Sequence, residues 1–151
     1  TQLKLALYSS ILHLCLGEPS KARKSMKKIL GSDKSFHTLP SYKTARLVNL
    51  LLQAELGNYD FFANEISSIK RTISYEKQMY ITEKLLFRFL MAHPLPIYRK
   101  DREKLWAQYQ KDITRIRQDK YEKQLLKTFD FTAWIESKLT NIPFREILYS
   151  E

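Results

Sequence analysis

Hydrophobic residues recur at spacings of three and four along most of the chain, which is the period of an amphipathic α-helix. The segment after Pro19 shows the pattern well, with Ala22, Met26, Ile29 and Leu30 along one face. No segment shows the sustained alternation of polar and apolar residues that is typical of a β-strand. Because the glycines and prolines fall between the periodic segments, where helices end, the pattern predicts an all-α fold.

The same periodicity predicts about seven helices, joined in one place by a polar connection from Ser32 to Leu39. Gly31 follows the second helix directly, where a glycine can take the left-handed conformation that closes a helix. Asn141 and Pro143 are expected to end the last helix and to leave an amphipathic tail. The predicted helices cover residues 2–16, 19–30, 40–56, 62–73, 79–90, 98–118 and 120–139.

Two places share one arrangement, an apolar helix followed by a short glycine turn and a second amphipathic helix. The turns are centred on Gly17 and Gly57. Both resemble the middle of a tetratricopeptide repeat, where a glycine turn joins two antiparallel helices. In that pattern a small residue follows the glycine by five positions and a bulky residue comes four later, and Ala22 and Met26 match these positions.

The chain also departs from that pattern. Phe62 occupies the position of the small residue in the second turn, and the two glycines are 40 residues apart, compared with about 34 in the usual repeat. Beyond Leu90 only the alternation of helices remains. The resemblance implies a divergent tetratricopeptide-like protein with helix hairpins stacked in a short right-handed superhelix. It is similar to uncharacterised repeat proteins from Bacteroidetes-type bacteria.

This resemblance suggests a domain organisation. We expect a single all-α domain over residues 1–151, with two tetratricopeptide-like helix pairs in 2–74, a helical C-terminal cap in 76–140 and a tail in 141–151. One helix pair cannot bury its own apolar face, so neighbouring pairs must stack. Since the first residue is Thr1 rather than Met, we expect the chain to be the C-terminal part of a longer protein.

Composition narrows the class of protein. With 44% hydrophobic residues, the chain can bury a core without disulfides or a metal. Cys15 is the single cysteine, which excludes an intramolecular disulfide and a disulfide-built secreted scaffold. No apolar stretch reaches the roughly 18 residues of a membrane span. Because a targeting signal could lie upstream of this chain, the cytoplasm is only a default compartment.

No pattern typical of an active site is present. His13 and Cys15 point about 200° apart around a helix, so they cannot bind one metal ion together. No glycine has a second glycine near it at a helix start, as a phosphate-binding loop requires. Carboxylates such as Asp101 and Glu103 lie among lysines and arginines, as on solvated helix faces. We predict no catalytic, cofactor-binding or metal-binding residues, and hence no enzyme.

The net charge of +10 makes nucleic acid a candidate partner. Basic residues concentrate in the second helix, at the start of the sixth, and near 115–123. They could contact a phosphate backbone, or they could simply keep the helix surfaces hydrated. The residues of this candidate patch are Lys21, Lys24, Lys28, Arg99, Lys100 and Arg102.

A groove is the other candidate site. In tetratricopeptide-like arrays the first helix of each pair lines the concave face, and an apolar groove there can receive an amphipathic partner helix. The chain's own last helix, or its segment 142–149, could fill the groove instead. The resemblance implies that this face consists of Lys4, Leu7, Ile11, Leu14, Thr44, Leu47, Leu51 and Ala54.

The sequence therefore predicts a non-catalytic protein–protein interaction scaffold, or the C-terminal cap of a helical-repeat array, whose partner is an unidentified protein. The alternative is a nucleic-acid-binding helical domain that uses its basic faces.

Overall fold

A computed structural model describes residues 2–32, 34, 37, 39–76 and 79–150, except for the side chains of 74–76. This part of the chain is all-helical and contains no strand. A short 3-10 turn, Tyr59–Phe61, precedes the fourth helix. The predicted connection between Ser32 and Leu39 lies partly outside the described residues. The helices are α1 (Gln2–Cys15), α2 (Pro19–Leu30), α3 (Pro40–Glu55), α4 (Phe62–Glu76), α5 (Ile81–Met91), α6 (Arg99–Gln118), α7 (Lys120–Leu126), α8 (Phe131–Thr140) and α9 (Phe144–Ser150).

Nine α-helices are therefore described where seven were predicted, because the predicted seventh helix divides and the predicted tail is helical. The side chain of Asp119 accepts hydrogen bonds from the backbone of Tyr121 and Glu122 and caps α7. Asp130 accepts from the backbone of Ala133 at 3.1 Å and caps α8. Each cap satisfies amide groups that a helix start leaves free, and the cap at Asp130 begins a second helix inside the predicted seventh. Asn141, at φ 60°, ends α8 before α9.

The chain forms two compact units, Thr1–Arg71 and Thr72–Glu151. In the first unit, both predicted glycine turns adopt the same geometry. Gly17 and Gly57 have φ angles of +74° and +78°. In each turn, the residue after the glycine donates its N–H to the carbonyl four residues before the glycine, at 2.8 Å and 2.9 Å. This is the Schellman arrangement, which satisfies carbonyls at a helix end.

Gly31 behaves differently from the prediction. Its φ is −89°, so α2 ends without the left-handed conformation. The N–H of Gly31 still reaches the carbonyl of Lys27 at 3.0 Å, and the N–H of Ser32 reaches that of Ile29 at 3.1 Å. The last turn tightens instead of reversing, and this is an alternative way to satisfy the final carbonyls.

Close packing of α1 on α2 depends on a small residue. Ala22 has no exposed surface and Met26 only 1%, while the hydroxyl of Ser10 donates to the carbonyl of Ala22 at 3.0 Å. The next helix, α3, is buried over most of its central turns. Arg46 on α3 donates to Glu65 on α4 at 2.8 Å, which joins these helices by a charge-assisted hydrogen bond.

An aromatic cluster organises the second unit. The ring of Phe89 on α5 meets Tyr109 of α6 and Trp134 of α8 edge-on, both at 5.6 Å between centroids. This geometry suits the charge distribution of aromatic rings. The short helix α7 is attached to α5 by Glu122, which accepts hydrogen bonds from the backbone and the hydroxyl of Thr82 at 2.7 Å and 2.9 Å.

Of the helices in the described ranges, none combines the length and the apolar character needed to cross a bilayer.

Candidate interaction surfaces

The residues of the predicted groove are mostly covered. Leu7, Leu47 and Leu51 are exposed by 3%, 0% and 0%, while Ile11, Leu14 and Thr44 are half-buried. An open groove needs exposed apolar side chains, so the first three residues belong to the core. Of the flanking positions, Lys4 is exposed and Ala54 is half-buried.

A different face of α1 carries the exposed apolar surface. Leu5, Tyr8, Leu12 and Leu16 are exposed by 69%, 55%, 56% and 55%. Their spacings of three, four and four place them along one side of the helix and its end. Sequence reasoning missed this surface because α1 is apolar on more than one side, although the spacing is visible. We call these four residues the α1 stripe.

The predicted basic patch consists of two sets in different units. On α2, in the first unit, Lys21, Lys24 and Lys28 are all exposed. The ammonium group of Lys21 pairs with Glu18 at 2.7 Å, and hydrogen bonds first from Lys21 and then from His13 lower the pKa of that carboxyl. Among the described residues, Lys24 and Lys28 have no ion-pair partner. This part of α2 therefore presents unneutralised positive charge.

The second set lies at the start of α6, in the second unit. Arg99 and Lys100 are exposed and Arg102 is half-buried. The guanidinium of Arg99 donates to Glu103 at 2.9 Å. Arg99, Arg102 and Glu103 also line a cleft of about 420 Å³ together with Trp106 and residues 139–141 at the end of α8. The sequence indicated the arginines, but only folding brings α8 beside them.

The cysteine thiol and a histidine imidazole, side chains that often act in catalysis, have environments here that do not favour a reactive group. Burial raises the pKa of the Cys15 thiol, which disfavours the reactive thiolate. The Nδ1 atom of His93 lies 3.0 Å from the carbonyl oxygen of Phe89. Within the described ranges, no three His, Cys, Asp or Glu side chains come together as a metal site would require.

Comparison of the chain with protein-family models, with curated proteins and with solved structures gave no match.

Proposed function

We propose that this chain is a non-catalytic helical module that binds a protein partner through the α1 stripe. The observation that supports the proposal is the exposure of its four large apolar side chains, each more than half exposed. Together they form a patch on the order of 400 Å², a size at which the largest apolar patch of a monomer is often functional. Water contact with so much apolar surface is unfavourable, and a partner would remove it.

The shape and charge of the stripe favour an amphipathic helix as the partner element. The stripe is straight and follows one side of a helix, so a second helix can pack along it with its own apolar residues. Lys4 is the only Lys, Arg, Asp or Glu within α1. Because charged groups lose hydration when an interface covers them, a surface with few charges is easier to bury.

Photo-crosslinking tests this proposal. A photoreactive amino acid at position 12 lies on the stripe, and one at position 27 lies on the exposed polar surface of α2. We expect a discrete crosslinked product from position 12, none from position 27, and loss of the product when Tyr8→Glu is added. A product of twice the chain's mass would identify a second copy as the partner.

Equal crosslinking from both positions, or a product that persists in the Tyr8→Glu variant, would contradict the proposal. Circular dichroism of Tyr8→Glu serves as the folding control. Since Tyr8 is 55% exposed, its replacement should leave the helical signal unchanged.

We propose nucleic-acid binding as the second candidate function, on the observation that α2 carries five exposed basic residues and no acidic residue between positions 21 and 28. Phosphate contacts of this kind weaken steeply with salt. Fluorescence anisotropy with short labelled DNA and RNA measures it. We expect Lys24→Glu combined with Lys28→Glu to abolish any binding, and binding that survives both substitutions would reject α2 as the contact surface.

A further inference from the structure

The cleft of the second unit has the dimensions of a small-molecule site. Its volume of about 420 Å³ falls within the range of ligand pockets in proteins. Arg99, Arg102 and Trp106 follow one another at spacings of three and four, so one face of α6 forms one wall. Leu139 in the last turn of α8 and Asn141 directly after that helix also line the cleft.

Hydrogen-bond donors exceed acceptors among the side chains of α6 in this cleft. The guanidinium of Arg99 is already occupied by Glu103 at 2.9 Å. Neither the guanidinium of Arg102 nor the indole N–H of Trp106 has a hydrogen-bond partner within the described part of the chain. Both side chains are half-buried. A ligand that complements them must therefore supply acceptors.

The charge of the cleft indicates how many negative charges the ligand carries. Two guanidinium groups and the carboxylate of Glu103 leave one positive charge, so a monoanion neutralises the lining. Glu103 lies in the lining itself and opposes a second negative charge on the ligand. The planar fork of an arginine matches a carboxylate with two parallel hydrogen bonds.

The apolar part of the lining indicates the rest of the ligand. The Trp106 indole makes no aromatic or cation contact with another described side chain, and Leu139 lies in the same cleft. We propose that this cleft binds a small carboxylate with an apolar body, with its charge on Arg102 and its body against Trp106. This site is independent of the proposed protein partner, since it involves no residue of the α1 stripe.

Titration with phenylacetate, followed through the indole N–H signals in proton–nitrogen NMR spectra, tests the proposal on the whole chain. The chain has two tryptophans, and Trp106→Phe assigns their signals. We expect a saturable shift of the Trp106 signal with a Kd on the order of 1 mM. Phenylacetamide, which has the same ring without the charge, should bind at least about tenfold more weakly.

Two variants separate binding from a structural role. Arg102→Gln should weaken phenylacetate binding by about tenfold, because it removes the charge and keeps most of the side chain. Lys104→Gln removes an exposed charge from the same helix, outside the cleft lining, and should leave the affinity unchanged. The alternative role of Arg102 is structural, because a cation near the C-terminal end of a helix such as α8 stabilises that helix. If Arg102→Gln lowers only the melting temperature and phenylacetate causes no shift, the arginine serves α8 and the proposal is wrong.

The source of the carboxylate is decided by a second pair of probes. A tetrapeptide that ends in leucine with a free carboxylate is compared with its amidated form. If the peptide with the free carboxylate binds and the amidated peptide does not, the site also accepts the C-terminus of a protein chain. If phenylacetate binds and neither peptide does, the site is restricted to free small acids. Tighter binding of adenosine monophosphate than of either carboxylate would overturn the monoanion assignment.

Discussion

Tyr80 shows how a neighbourhood changes the chemistry of one side chain. Its ring stacks on that of Tyr121 with 4.4 Å between centroids. Burial is the main cause that raises the pKa of Tyr80 to about 12, and Tyr121, Glu83 and Glu122 add to it. Each effect disfavours a negative charge on the phenol oxygen.

The raised pKa predicts a phenol that stays protonated in strong base. Because the folded state holds this proton more tightly than the unfolded state, its contribution to stability is present below the ordinary pKa of 10.0 and is lost as the pH rises from there to about 12. We expect Tyr80→Phe to change the tyrosinate absorbance little just above pH 10. A clear reduction of that absorbance in Tyr80→Phe would contradict the prediction, with circular dichroism as the check that the chain is folded.

At the scale of elements, the α1–α2 hairpin depends on Ala22. This residue has no exposed surface, so a large side chain has no space between the helices. We expect Ala22→Trp to lower the free energy of unfolding by about 1–3 kcal/mol or more through overpacking. Lys24→Trp places the same ring on the exposed side of α2 and is the matched control. Urea unfolding measures both, and equal stability of the two variants would reject this packing.

The attachment of α7 to α5 depends on a buried carboxylate. Glu122 is only 2% exposed and accepts both hydrogen bonds from Thr82. Glu122→Ala leaves these donors buried without an acceptor, which should lower the free energy of unfolding by about 1–3 kcal/mol. Lys123→Ala changes the exposed neighbour on the same helix and should have little effect. If thermal melting curves of the two variants coincide, the bonds contribute nothing measurable.

At the scale of the whole molecule, the net charge of +10 makes salt a test between the two candidate functions. Binding of nucleic acid through its phosphates should weaken by about tenfold or more between roughly 50 and 200 mM salt. The affinity of an apolar association through the α1 stripe should not fall as the salt concentration rises. If the partner is a second copy with the same charge, the affinity should increase, because salt screens the repulsion between the copies. Anisotropy follows the first association and light scattering the second. Loss of the α1-dependent complex with salt would indicate that charge, rather than apolar burial, drives it.

Local chemistry was enough to predict the helical class and the glycine turns. The spacing of apolar residues and the glycines at positions 17 and 57 determine structure within a few residues. Both features can therefore be recognised from the sequence alone. The break within residues 120–139 was missed because an apolar period continues across it, while the cap at Asp130 acts through a single backbone hydrogen bond. The tetratricopeptide-like relationship and its superhelix stay predictions.

The sequence by itself determined the all-helical class and the grouping of basic residues along the chain, because both depend on neighbours in sequence. Only the tertiary structure decided which apolar faces are covered. It buries Leu47 and Leu51 and leaves Leu5 and Leu12 exposed, although all four are leucines on helices with apolar residues on several sides. It also brings the end of α8 beside Arg102 and Trp106. The physical reason is that burial and cleft formation depend on elements distant in sequence, whose positions no local period encodes.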